Sequence, residues 1–573
     1  MRDDNRIIII GGGMAGLGCG LGLGRPLLLL EEEADLGGLA GCYRVGDSAV
    51  EKYYHHFFHG DMELFTLIDR LGLTDRLEWL RSSVGYRVGG ENYRLNTPLE
   101  VLRFPHLSLR EKIALGKMVR YARGIDNLSQ YDDVPAVDWV VDVAGQAVYE
   151  RFFRALLRLK WGERYRDISA AWLINRMTIR SHRSLKGERL AYLCGGWSQV
   201  LEGMARLMTS RGGEIRRGVP VRRIVIEGDV VRGVETDEGF EPADVVVATV
   251  AVSGLVRLTR EDPGLPIPSY QGTTCLLLGL KRRLLDGIYW LNLEEGLPFG
   301  AVIEHTNFVP PSEYGCHLVY LVTYHNRSEG VQTSQDDTRG HGARGSSAWG
   351  SRIQDSGVRD AGARDTGAGH SGARDTGAGD SGTPDSSAGD SAVRDTGARD
   401  SSARDSSSRD SSARDGSARD AGVRSSGIRD GSTRHSGVQP GSAGDIGPPD
   451  GTDIADMGDG EVAETFIDGL GSMVPHLKRS DIVFWHLART EHSSPHYVVG
   501  YAAHSIVPYR TRIRGLYAAG MASPPSYPER SLCASLRAGY ECAEAIARDL
   551  SVDSRERSDL REQAVSIDRP SCT

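Results

Sequence analysis

An unbroken apolar run that ends in three glycines constrains this chain more than any other feature. Arg6-Ile-Ile-Ile-Ile-Gly11-Gly12-Gly13-Met14-Ala15-Gly16 is followed by Leu27-Leu-Leu-Leu-Glu31 and then by Leu36-Gly37-Gly38-Leu-Ala-Gly41. Together they read as an apolar strand, a glycine turn, a short crossover and a second apolar strand that ends in a carboxylate, with a second glycine pair after it. The glycine turn and the carboxylate that ends the second strand suit an ADP-bearing dinucleotide. In that reading Gly11 makes the tight turn and Gly13 lets the backbone approach the pyrophosphate. Met14 and Ala15 open the helix whose positive end holds it, and Gly16 lets helix and strand pack closely. Glu31 is placed to accept hydrogen bonds from the adenosine ribose.

The crossover also carries Gly16, Gly18, Gly20, Gly22 and Gly24 at every second position. Each interior glycine costs a helix roughly 1 kcal/mol against alanine. The helix must therefore be held by packing or be frayed.

The 573 residues suffice for two or three domains and a large core. A net charge of −9 with no basic patch argues against nucleic acid as a partner. The eight cysteines are scattered, without metal-ligand spacing, so no metal site or disulfide framework is expected and a cytoplasmic setting fits. The glycine turn lies so near residue 1 that no signal peptide is expected, and no run is long enough to span a bilayer. Peripheral membrane contact and oligomeric state stay open.

From 326 to 458 the composition changes. Pentapeptides such as Val358-Arg-Asp-Ala-Gly, Ala363-Arg-Asp-Thr-Gly and Thr433-Arg-His-Ser-Gly437 repeat small and charged residues with almost no aromatics. Such a segment cannot offset a backbone ordering cost on the order of 1–2 kcal/mol per residue, so a disordered insertion is expected. Before it, His317–Tyr324 alternates as a strand; after it, Glu461–Leu470 has the pattern of an amphipathic helix. A helix follows Gly195-Gly-Trp, and Ala243–Thr249 reads as another buried strand.

The stretch Glu31-Glu-Glu-Ala-Asp35-Leu-Gly37-Gly38 resembles the E-x-x-x-R-x-G-G signature of the large FAD-binding superfamily. That superfamily includes amine oxidases, protoporphyrinogen oxidases, phytoene desaturases and UDP-galactopyranose mutases. Asp35 stands where the family has arginine, which puts one phosphate contact in doubt. Glu51–Asp61, Thr97-Pro98, Ser169–Leu173, Glu304–Phe308 and Pro528-Glu-Arg530 resemble segments of the bacterial amine oxidase and protoporphyrinogen oxidase-like group. The resemblance implies an α/β fold: a Rossmann-type, glutathione-reductase-like FAD-binding domain (1–60, 195–254 and 506–550) with an inserted α+β substrate domain (61–194, 255–325 and 459–505). Residues 551–573 would form a polar tail.

By the same resemblance a backbone near Val221 faces the adenine, Thr249 closes over the cofactor, and Gly520, Met521 and Ser531 lie where a helix N-terminus meets the flavin. The implied activity is FAD-dependent oxidation or desaturation of a small-molecule substrate (an amine, a tetrapyrrole or an isoprenoid-like compound) by hydride transfer to noncovalently held flavin. His55-His56-Phe-Phe-His59 also looks like a segment of UDP-galactopyranose mutases, with His56 and His59 in matching places, so a non-redox mutase is the alternative. A mutase would need Arg166, Arg176 and Arg180 to grip a pyrophosphate. His56 is a candidate at the flavin; a packed core histidine is its alternative. His305 could equally be packing, with Glu304 as partner. Lys160 could be the lysine that amine oxidases place near the flavin, or a solvated one.

Overall fold

The computed structural model describes residues 5–179, 187–294, 296–326 and 454–567, with side chains to 551. Arg180, almost all of the expected insertion and most of the polar tail lie outside the described residues or side chains.

The apolar runs form a five-stranded parallel sheet in the order Leu516–Ala518, Val245–Ala248, Ile7–Ile10, Leu28–Glu31, Glu214–Arg217. The isoleucine strand is central: Ile8–Ile10 pair with Leu28–Leu30 on one side, and Ile7–Ile10 with Val245–Ala248 on the other. In chain order this is the 3-2-1-4-5 arrangement of a doubly wound nucleotide-binding sheet. Ile7 and Ile9 point into one core, Ile8 and Ile10 into the other, which is why the run does not alternate in polarity.

The glycine-rich crossover is a full helix, Met14–Leu23, and packing holds it. A Cβ at Gly18 would lie 2.9 Å from Leu536 O, and one at Gly22 2.8 Å from Ala543 Cβ, both on the C-terminal helix Leu532–Ile567. On the other sides, a Cβ at Gly16 would meet Gly11 O at 2.0 Å and one at Gly20 would meet Met208 Sδ at 2.3 Å. From the C-terminal helix, Gly539 approaches Ala15 O and Cys19 N in the same way. The alternating glycines therefore serve two crowded faces at once.

The second half of the molecule is built on a seven-stranded sheet ordered Ile482–Pro495, Tyr270–Leu280, His317–His325, Ala301–Glu304, Trp290–Asn292, Val84–Val88, Glu91–Arg94. Tyr270–Leu280 pairs with the strand before the expected insertion and with the strand after it. Helix Asp459–Met473 covers one face, burying Phe466 and Leu470 against Leu276 and Leu278. A helical lobe that includes Leu109–Ala122, Ala136–Ala144, Arg154–Trp161 and Ala170–Ile179 closes around Trp139, Trp161 and Tyr497. The C-terminal helix opens at Leu532, just after Ser531, and runs on to Ile567, where a polar tail was expected.

Candidate active site

The carboxyl ends of the parallel strands gather most of the residues singled out above. Gly11 takes φ +102°, which favours glycine, and its N–H donates to Leu30 O at 2.8 Å. The buried Glu31 carboxylate accepts from Gly12 N at 2.6 Å and from Glu33 N at 2.9 Å, tying the glycine turn to the second strand. Gly37 N donates to Gly12 O at 3.0 Å, and Gly13 and Gly37 form an isolated bridge. Thr249 Oγ1 donates to Ile10 O at 2.8 Å, across the top of the central strand. Val219 N donates to Glu31 O at 2.9 Å, which brings the start of strand Val221–Glu227 to the same tip.

The helix from Met14 has no side chain capping its N-terminus and no acid in its first turn. Its free N–H groups and positive end suit an anion. Cβ atoms at Gly38 and Gly520 would meet nothing within 4 Å. Ser531 caps the C-terminal helix, its Oγ accepting from Ala534 N at 3.0 Å. Asp35 lies exposed in the loop after Glu31.

A second cluster lies deep in the molecule, where the helical lobe, the large sheet and the turn before the C-terminal helix meet. Arg176 Nη1 pairs with Glu529 Oε1 at 2.7 Å, yet 33% of the arginine side chain stays solvent-accessible. Against burial, the Glu529, Tyr54, Tyr324 and Glu188 charges all act on this guanidinium and favour its charged form. Lys160 Nζ sits 3.7 Å from the Tyr324 ring centroid, and the Tyr54 and Tyr324 hydroxyls share a short hydrogen bond. Burial, then the Arg530 and Arg176 charges, hold the Lys160 amine well below its ordinary pKa. His55 is pushed down to about 3, by burial first and Arg530 second. Three buried polar atoms in this cluster, His55 Nδ1, Glu529 Oε2 and Arg530 Nε, have no hydrogen-bond partner. Buried polar groups are almost always satisfied, so these three atoms single the cluster out as a candidate site.

Residues 18–333 match the family described as flavin containing amine oxidoreductase. The chain belongs to this family. It is an FAD-dependent oxidoreductase. No curated protein sequence matches it. Among solved structures, it is similar to an Exiguobacterium sp. 255-15 protein assigned as a protoporphyrinogen oxidase, with TM-score 0.59 and 14% identity over 96% of this chain and 99% of that one. Reduced UDP-galactopyranose mutase gives 0.56 and 14% over 95% of each chain. Putrescine oxidase bound to putrescine gives 0.55 and 13% over 95% and 99%. These likenesses are likenesses of fold.

FAD fits the residues of this oxidoreductase. The uncapped helix end and the open backbone at Gly38 and Gly520 are what a long dinucleotide would complete.

The histidine segment divides. His56 Nδ1 lies 3.3 Å from Tyr289 Oη. His59 stacks on Trp79 with centroids 3.8 Å apart and is exposed. His305 is a packing residue, hydrogen-bonded through Nε2 to Tyr314 Oη at 2.9 Å. Its expected partner Glu304 binds elsewhere, accepting from Leu284 N, Leu285 N and Asn307 Nδ2, because the strand ends between the two residues and turns them apart.

Sequence reasoning left Lys160 open and missed His55, Glu529 and Arg530 as site residues. Arg176 and Glu529 are 353 positions apart, so nothing local to either signals the pair. The resembling segments that contain His55 and Pro528-Glu-Arg530 were the available hint.

Proposed function

We propose that the chain removes a hydride and a proton from an apolar small molecule bearing a carboxylate, and that a tetrapyrrole fits better than an amine or an isoprenoid-like compound. Bound FAD supplies the hydride acceptor. Gly11, Gly13, Met14, Ala15, Gly16, Gly37 and Gly38 would hold its pyrophosphate side and Glu31 its ribose. Val221 and Thr249 would flank the adenine half, and Gly520, Met521 and Ser531 the flavin half.

One observation carries the reading: the Lys160 amine over the Tyr324 ring, where burial and the Arg530 and Arg176 charges lower its pKa, in a cluster whose Arg530 Nε has no partner. Lys160 Nζ takes up the substrate proton, since lowering an amine's pKa by burial favours its neutral, proton-accepting form. Tyr324 and Tyr54 orient it, and the aromatic wall excludes water. Arg530 pairs with the substrate carboxylate. A protonated amine would meet Arg176 and Arg530 instead, with Glu529 alone to offset them. For an isoprenoid, both guanidiniums would be left without a role.

The test is anaerobic flavin reduction by a porphyrinogen and by its methyl ester, in wild type and Arg530→Leu. The proposal expects the free acid to reduce wild type faster, and the difference to vanish in the variant. Equal rates for acid and ester in wild type would rule out carboxylate pairing.

A mutase would need an arginine grip. Of the three arginines proposed for it, Arg176 is paired with Glu529, Arg166 is exposed beside Tyr165, and Arg180 lies outside the described residues. The redox reading therefore has the stronger support.

A further inference from the structure

Two short helices of the helical lobe present a surface that the site does not use. Of the twelve exposed large apolar side chains among the described residues, five fall between Leu99 and Tyr121. Leu99 and Leu102 lie on helix Pro98–Arg103, and Leu109, Ile113 and Tyr121 on helix Leu109–Ala122. They are between 49% and 65% exposed. On the longer helix Leu109, Ile113, Lys117 and Arg120 follow one face, opposite the buried Leu115, Met118 and Ala122. Lys112 Nζ donates to Leu102 O at 2.7 Å, so the two helices present their apolar tips together.

Charge distinguishes this surface from scattered exposed leucines. Between Thr97 and Gly124 stand Arg103, Arg110, Lys112, Lys117, Arg120 and Arg123, against Glu100 and Glu111 only. That is a local net of +4 in a chain of −9. Both acids are engaged in capping boxes, Glu100 with Thr97 and Glu111 with Ser108, and Glu111 also pairs with Arg151. The caps fix both helices, so the surface is formed in advance.

We propose that this surface docks the protein onto an anionic lipid bilayer, with the leucine and isoleucine tips at the acyl boundary and the basic residues among the headgroups. Apolar tips ringed by arginine and lysine are the composition of a helix that lies in the membrane interface. No described helix is long and apolar enough to cross a membrane, so attachment is lateral. A symmetric contact with a second copy would set cationic surface against cationic surface.

The test is flotation of the full flavin-loaded chain with vesicles of phosphatidylcholine alone and with phosphatidylglycerol added. Wild type should float only with the second, and raised salt should release it. The pair Leu109→Glu with Ile113→Glu should abolish flotation. Lys117→Glu with Arg120→Glu should weaken it by about fivefold or more for each basic residue lost. Both variants should keep an unchanged flavin spectrum, which shows that they fold. Failure of wild type to float, or flotation of both variants like wild type, would overturn the proposal. So would a dimer in analytical ultracentrifugation that Ile113→Glu dissolves, which would assign the surface to a second copy.

Discussion

Lys160 is the residue whose surroundings most change what it can do. In an aqueous setting its amine would be protonated; here burial and two guanidiniums oppose that charge. Replacing it with methionine keeps the length and apolar stem. The expected result is flavin reduction by substrate slowed by roughly 10²–10⁴-fold, with flavin content unchanged. Rapid-reaction kinetics across pH would show the rate of wild type rising as Lys160 loses its proton, and that limb absent from Lys160→Met. Glu51 gives a separate prediction for stability. It is buried, accepts from Trp197 N and Tyr192 Oη at 3.2 Å, and burial raises it from 4.5 to about 7. The folded state then binds this proton more tightly than the unfolded state. The stability it supplies is complete below pH 4.5 and is lost as pH rises to about 7. The loss is about 3 kcal/mol at one pKa unit per ~1.4 kcal/mol. Glu51→Gln should remove this contribution, so that the wild-type melting temperature falls relative to the variant across that window. Parallel melting curves for the two proteins would contradict it.

At the level of elements, the packing of the fingerprint helix against the C-terminal helix sets the base of the nucleotide site. Its glycines are not equivalent. A methyl at Gly539 would strike the backbone at Ala15 O and Cys19 N, which cannot move without displacing the helix that follows the glycine turn. One at Gly20 would meet the sulfur end of Met208, a flexible side chain. Gly539→Ala should therefore destabilise by about 1–3 kcal/mol or more and weaken FAD retention, whereas Gly20→Ala should stay within about 1 kcal/mol of wild type. Thermal unfolding of both variants decides it; equal losses would mean that packing does not separate them. This layer was legible only in part. Periodicity located the strands and the crossover, because burial on both faces leaves an unbroken apolar run. Propensity alone could not decide whether a helix with four alternating glycines would form, since its stability comes from contacts with Leu536, Ala543 and Met208, each far away in sequence.

For the whole molecule, the nucleotide-binding half could be read from local patterns, because a glycine turn, an acid-tipped strand and a helix end lie close together in sequence. The substrate half could not. The candidate cluster of His55, Lys160, Arg176, Tyr324 and Glu529 comes from separate elements, and only the fold brings them together. The pentapeptide segment should be dispensable for the site. Its flanking strands both pair with Tyr270–Leu280, so deleting residues 340–450 should leave flavin binding unchanged and the melting temperature within a few degrees. Loss of bound flavin in that deletion would give the segment a structural role. The most direct test of the central claim is the visible spectrum of the purified protein, recorded anaerobically before and after separate additions of a porphyrinogen and of NADPH. The account predicts one oxidised flavin per chain that the porphyrinogen bleaches and NADPH does not. A flavin that only NADPH bleaches would contradict it and favour mutase or reductase chemistry.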